Sequence, residues 1–251
     1  METQRAVNAV LDRWCEYVRS EWAGPVGEAA AYSLASPGKR LRPALLIATY
    51  RELGGKGDAA ELAAATEAAF RLIPLSARVL AAGAKRLGLD VRAAGVIAGE
   101  LFRGAGACGM VGGQVMDLEA EGKDVSLAQL VRIHSAKTAA LIAASVVMGA
   151  LAAGADSATV EAVRGYGREI GLAFQIVDDV LDATATSSQL GKTVGKDARQ
   201  HKATYATMVG IDAARRQADE HVRRAIDHLA SAAINCGLLA TLARFVTQRR
   251  N

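Results

Sequence analysis

Apolar positions recur three and four apart along most of the chain, the signature of helices with one buried face. Residues 4–20 place Val7, Val10, Leu11, Trp14 and Val18 on one side. A second short helix is expected over Val26–Leu34, ending before the turn signal Ser36-Pro37-Gly38. Pro43 suits the first turn of a helix over Ala44–Leu53, because proline there gives up a donor that would have no partner. Past the linker Gly54-Gly55-Lys56-Gly57, Asp58 can cap a helix that runs from Ala59 through Glu67 and Ala68 to Pro74. Two more follow, Leu75–Leu87 with Gly88 as its stop, and Val91–Gly104. Ser126 with Gln129 has the form of a capping box, so another starts there and enters an Ala-rich run, Ala139–Ala155. That run is short and weakly apolar for a membrane span, and a buried helix is expected. A helix from Asp156-Ser157 leads to Asp178, and further helices cover Ala213–Ala232 and the stretch ending in Gln248-Arg249-Arg250.

Composition agrees with this pattern. Hydrophobic residues make up 51% of the 251 positions but aromatics only 4%, so the core must be built from Ala, Leu, Val and Ile, which suits closely packed helices. The expectation is an all-α chain forming one domain, with no internal boundary. The net charge of +4 would raise nucleic acid as a partner, but the basic residues are dispersed and few aromatics are present to stack on bases. Cys15, Cys108 and Cys236 are far apart and in no metal-ligand spacing, which suggests a reducing compartment. Residues 1–20 carry charge throughout and lack the apolar core of a signal peptide, so a cytoplasmic protein is expected.

The candidate chemistry centres on Phe174-Gln175-Ile176-Val177-Asp178-Asp179-Val180-Leu181-Asp182. Asp178 and Asp182 lie four apart and share a helix face, with Asp179 beside them and Gln175 one turn earlier. Packing does not reward such crowding of like charge, and a cation offsets it. Oxygen donors with room for water favour Mg²⁺. Lys192, Lys196 and Lys202 follow, so a metal face and a basic loop read together as a diphosphate site; the alternative is a solvated acidic helix end beside a basic loop. A second basic stretch, Gly38-Lys39-Arg40-Leu41-Arg42-Pro43, crowds cations at a helix N-terminus, where a bound anion would relieve them; the alternative is an exposed basic turn. Gln114 and Asp117 offer an amide and a carboxylate beside a glycine-rich stretch, or are ordinary surface groups. Lys137 sits where the chain turns apolar, as a snorkelling residue or a phosphate ligand.

Taken in order, Gly38-Lys39-Arg40-Leu41-Arg42-Pro43, Gly113-Gln114-Val115-Met116-Asp117-Leu118, Lys137-Thr138, the Phe174–Asp182 stretch, Leu190-Gly191-Lys192 and Lys202-Ala203-Thr204-Tyr205 resemble the trans-isoprenyl diphosphate synthases of the polyprenyl synthetase family. The short-chain farnesyl and geranylgeranyl diphosphate synthases are the most similar members. The resemblance implies an all-α, single-domain helical bundle around a central apolar cavity, working as a homodimer. It implies a prenyl transfer in which Mg²⁺ assists ionisation of an allylic diphosphate (dimethylallyl, geranyl or farnesyl) and isopentenyl diphosphate attacks the allylic cation. By motif, Asp178, Asp179 and Asp182 would bind metal. Gly38, Lys39, Arg42 and Gln114 would bind substrate, and Lys137, Thr138, Gln175, Lys192 and Lys202 would serve the allylic substrate and its leaving diphosphate.

One departure stands out. The family's first Asp-rich motif, with the His before it and the Arg pair after it, is absent; Glu67 and Ala68 join pieces that are a few dozen residues apart in the family. The expectation is that the molecule possesses an acidic segment which this sequence omits between residues 67 and 68. A genuine deletion would remove half the metal site, and the leading alternative would then be a catalytically inactive subunit that pairs with an active prenyl synthase. Product length is not legible, because in the family it is tuned just before the absent motif.

Overall fold

The computed structural model describes residues 2–22, 24–36, 38–190, 203–234 and 237–249, and of residues 185–190 the backbone alone. All regular structure among them is helical. The first half of the chain comprises α1 (Glu2–Glu21), α2 (Pro25–Ala35), α3 (Leu41–Glu52), α4 (Ala60–Arg71), α5 (Ile73–Arg86), α6 (Val91–Ala105) and α7 (Met110–Glu119). The second half holds α8 (Leu127–His134), a π-helical turn over Ser135–Ala139, α9 (Ala140–Ala152), α10 (Ser157–Leu190), α11 (Tyr205–Val209), α12 (Ile211–Ser231) and α13 (Gly237–Gln248).

The expected helices are present to within a few residues. Val7, Val10, Leu11 and Val18 of α1 are buried, as their spacing requires. The Asp58 carboxylate accepts the backbone N–H of Ala60 at 2.9 Å. At Ser126 both bonds of the capping box form: the Ser126 hydroxyl accepts from the Gln129 N–H, and Gln129 Oε1 accepts from the Ser126 N–H at 2.8 Å. The sequence pattern gave no sign of the π turn or of α11. Glu67 and Ala68 are consecutive residues of an unbroken α4.

The bundle is organised on α9, in which every residue from Leu141 to Ala150 is buried. Together with α8 and the π turn it makes a continuous helical stretch, Leu127–Ala152, with a mean hydropathy of 1.6 in its most apolar window, long and apolar enough to cross a membrane; 72% of that window is buried inside the protein. Around it lie three apolar clusters. One joins α1–α6 to α9, one joins α3, α9, α10, α12 and α13, and one joins α8, α10, α11 and α12. Small residues let the backbones approach: a Cβ at Gly171 of α10 would sit 2.3 Å from Ala139 Cα, so a glycine is required there.

A cavity of about 490 Å³ lies between α6, the π turn, α9 and α10. Its walls are Ala139, Ala140, Ala143, Ala144 and Leu172, and charged groups, including Arg164 paired with Glu100, also face it.

Candidate diphosphate site

Three segments build the site. The first is the turn into α3. Arg40 adopts a left-handed backbone conformation (φ 52°), costly for a residue with a Cβ. It is buried and held there: Nε donates to Asn8, Nη1 to Glu67 Oε2 at 3.2 Å and Nη2 to the Ser36 carbonyl. Arg40 is therefore a structural anchor, and the basic stretch divides. Lys39 is half-exposed and points toward α10, its Nζ 3.9 Å from Asp178 Oδ1. Arg42 stacks over the Phe70 ring at 4.2 Å and lies 4.0 Å from Glu67 Oε1, while its Nε makes no hydrogen bond. Burial pushes the Arg42 guanidinium below its ordinary pKa; Glu67 opposes this and Arg71 adds to it. A buried guanidinium so poorly matched by donor count is suited to an anion. Gly38 lies tight against this group, where a Cβ would come within 3.2 Å of Arg40 Nη1.

The second segment is the π turn. Its extra residue per turn sits where α7 crosses it, and Gly113 makes the crossing possible: a Cβ there would lie 2.1 Å from the Lys137 backbone nitrogen. Lys137 Nζ donates to Asp117 Oδ2 at 2.6 Å. Asp117 is buried by this contact, whereas Gln114 is exposed on α7, so the two do not work from one surface. Thr138 donates from Oγ1 to Gln175 Oε1 at 2.9 Å, which ties the turn to α10.

The third segment is the aspartate stretch of α10. Asp178 and Asp182 occupy one face, while Asp179 lies about 100° round the helix and turns inward. Its Oδ2 accepts the Tyr205 backbone N–H at 2.9 Å, and its Oδ1 accepts from Gln175 Nε2 at 3.3 Å. His134 Nε2 is 3.7 Å from Asp179 Oδ2, and its ring stacks on Tyr205. Asp178 is flanked by Lys39 and by Arg249, whose Nη1 is 2.9 Å from Oδ1. Burial raises the Asp178 carboxyl above its ordinary pKa, opposed by the charges of Arg249 and Lys39 and reinforced by Asp182. Burial also raises Asp179, against the Tyr205 N–H and Gln175.

The three aspartates expected to converge therefore do two jobs in this structure. Among the described residues no three His, Cys, Asp or Glu side chains are grouped to hold a metal ion by themselves. Asp178 with Asp182 offers two carboxylates on one face, a donor set that fits a hard cation completing its shell with water and phosphate oxygens. Lys192 and Lys202 lie outside the described residues. Sequence reasoning missed Arg249 and His134 as neighbours of the site. Each arrives by tertiary packing that leaves no local spacing signal.

These segments are brought together from distant parts of the chain. The family model for polyprenyl synthetase matches residues 86–235. The chain belongs to the polyprenyl synthetase family. A dimethylallyltranstransferase of Fischerella ambigua is 46% identical over 154 residues, covering 61% of this chain and 44% of that protein. In that match the chain spans less than half of its relative's length. The farnesyl diphosphate synthase of Geobacillus stearothermophilus is 32% identical over 287 positions, covering 99% of this chain and 96% of that one. That alignment is longer than the 251 residues here, so it opens gaps in this chain. The FPP/GFPP synthase of Zymomonas mobilis superposes with a TM-score of 0.78 at 25% identity, covering 98% of each chain.

Proposed function

We propose that this polyprenyl synthetase acts as a short-chain isoprenyl diphosphate synthase, joining isopentenyl diphosphate to a dimethylallyl, geranyl or farnesyl diphosphate. The observation that carries the reading is the meeting of Lys39, from the turn into α3, with Asp178 of α10, which puts a half-exposed cation beside a carboxylate pair at one surface. Lys39 and Arg42 hold isopentenyl diphosphate. Lys137, Thr138 and Gln175 hold the allylic diphosphate, and Lys192 and Lys202 are assigned to its leaving group by motif. Asp178 and Asp182 would hold Mg²⁺, which supplies charge to the departing diphosphate. The allylic C–O bond breaks with its electron pair on the diphosphate, the double bond of isopentenyl diphosphate attacks the allylic carbon, and a proton is lost to leave a chain one isoprene unit longer.

The family's pairing into homodimers and a cytoplasmic location belong to the same proposal. Exposed Val91 and Val96 on α6 supply apolar surface for the first, and the free thiols of Cys15 and Cys108 are in keeping with the second.

The test is incubation of the purified chain with labelled isopentenyl diphosphate, each allylic diphosphate in turn and Mg²⁺, with chromatography of the products. A product longer by one unit with at least one substrate supports the synthase. The alternative, a catalytically inactive subunit that pairs with an active synthase, is the less supported reading, because the relatives this chain matches are named as prenyl transferases and diphosphate synthases. That reading takes over if no allylic substrate is extended and the chain shifts the product length of an active synthase mixed with it.

A further inference from the structure

The end of the chain reaches the aspartate face through one residue. The Arg249 side chain is 4% exposed and is held at three points. Its Nε donates to the Val246 carbonyl at 3.1 Å, its Nη2 donates to the Phe174 carbonyl at 3.1 Å, and the guanidinium lies 4.0 Å from the Phe174 ring centre. Burying a guanidinium is expensive unless its donors are matched, so this placement is built into the fold. Nη1 alone is not aligned for a hydrogen bond, although it lies at ion-pair distance, 2.9 Å, from Asp178 Oδ1. Lys39 approaches the same oxygen from the side of the same ring.

The consequence is electrostatic. Asp178 and Asp182 bring two negative charges, and Arg249 and Lys39 bring two positive charges to the same place. A divalent cation at Asp178 Oδ1 would sit within a few ångströms of a buried guanidinium, a repulsion that solvent screens poorly. The guanidinium and a metal therefore compete for the negative charge of that carboxylate.

We propose that Arg249 is a further residue of the site: an internal counter-cation that competes with the divalent metal for Asp178 and yields the carboxylate when a diphosphate arrives to receive its fork. The proposal rests on the metal role given to Asp178 above. The unaligned Nη1 donor is the group that turns to the phosphate, which a planar guanidinium binds through paired N–H groups. The metal therefore binds the resting protein weakly, and the diphosphate creates its own metal site by withdrawing the competing charge.

The experiment reads metal affinity with no turnover. Mn²⁺ is titrated into the full chain without diphosphate, and free Mn²⁺ is followed by electron paramagnetic resonance for wild type, Arg249→Gln, Arg249→Lys and Arg249→Gln/Asp178→Asn. Arg249→Gln is expected to bind Mn²⁺ about tenfold more tightly, as for removal of one charge from a buried pair. Arg249→Lys keeps the charge and stays near wild type, and Asp178→Asn abolishes the gain. Equal or weaker binding by Arg249→Gln overturns the competition and leaves the metal site standing. Uptake of Mn²⁺ by neither protein overturns the metal reading and the proposal with it. Should Arg249→Gln not fold, ¹⁵Nε resonances of arginine in the wild type decide: the Arg249 signal, assigned with Arg249→Lys, moves as Mg²⁺ saturates the protein, and a signal unmoved through saturation overturns the proposal.

Discussion

The backbone N–H of Tyr205 donates to Asp179 Oδ2 at 2.9 Å, joining α10 to the first residue of α11. With Gln175 on the other oxygen and Thr138 on Gln175, the contact closes a chain of hydrogen bonds from the π turn to α11. Asp179 is thus committed to holding protein, and Asp178 is the aspartate that faces the open side of the site.

This division predicts different consequences for neighbouring substitutions. Asp178→Asn removes the charge a metal needs, so turnover should fall by orders of magnitude, and it also takes the counter-charge from the buried Arg249, so the thermal midpoint should fall as well. Asp179→Ala strands the Tyr205 N–H and should cost on the order of 1–3 kcal/mol of stability. Steady-state kinetics and thermal unfolding of both variants check this. Near-normal turnover in Asp178→Asn would sink the metal assignment.

Lys39 is half-exposed, with an ion pair to Asp178 and a contact over the Phe174 ring. Its removal should leave stability within about 0.5 kcal/mol. Lys39→Ala should raise the KM for isopentenyl diphosphate about tenfold, as expected for loss of one charge-assisted contact, and change kcat less. An unchanged KM for that substrate contradicts its role.

The helices, their caps and the all-α class were legible because each depends on residues within a few positions of one another: Asp58 for α4, Ser126 and Gln129 for α8. The polar site was legible as segments, since Lys39, Arg42, Lys137, Thr138, Gln175 and Asp178 stand in motifs. Their division of labour was not. That Arg40 is locked by Glu67 and Asn8 depends on helices α1 and α4, and that Asp179 turns inward depends on Tyr205, 26 positions away. Arg249 showed only a basic chain end, because its partners Phe174 and Asp178 lie more than seventy positions earlier.

The close approach of the π turn to α10 predicts a packing effect on binding. In Gly171→Ala the new methyl group meets Ala139 Cα at 2.3 Å, and the two elements must part. The cost should be about 1–3 kcal/mol. Because Thr138 and Gln175 sit on these same two elements, the KM for the allylic diphosphate should rise as well. Unfolding in urea and a KM measured for each substrate separately check it; a loss of stability with both KM values unchanged would detach Thr138 and Gln175 from substrate.

Glu100 provides the clearest dependence on pH. Burial pushes its carboxyl up, but Arg164, paired through both nitrogens of its fork, and Arg103 together outweigh burial and hold it below the usual 4.5. A carboxyl lowered in the folded state adds stability that is complete above the unfolded value and disappears as pH falls through the folded one. Glu169, also held below the usual value although burial opposes its His221 contact, acts in the same direction. Asp178 and Asp179, both raised, act in the opposite direction, so the total curve mixes signs. A difference measurement isolates the pair. At pH 7 Glu100→Gln should cost on the order of 2 kcal/mol, the worth of a hydrogen bond to a charged group. As pH falls below the usual 4.5 the gap between wild type and variant should narrow, and it should vanish once the folded carboxyl is protonated. Unfolding midpoints of the two proteins from neutral pH downward test it, and a gap that never narrows would show that the Glu100–Arg164 pair contributes no charge-dependent stability.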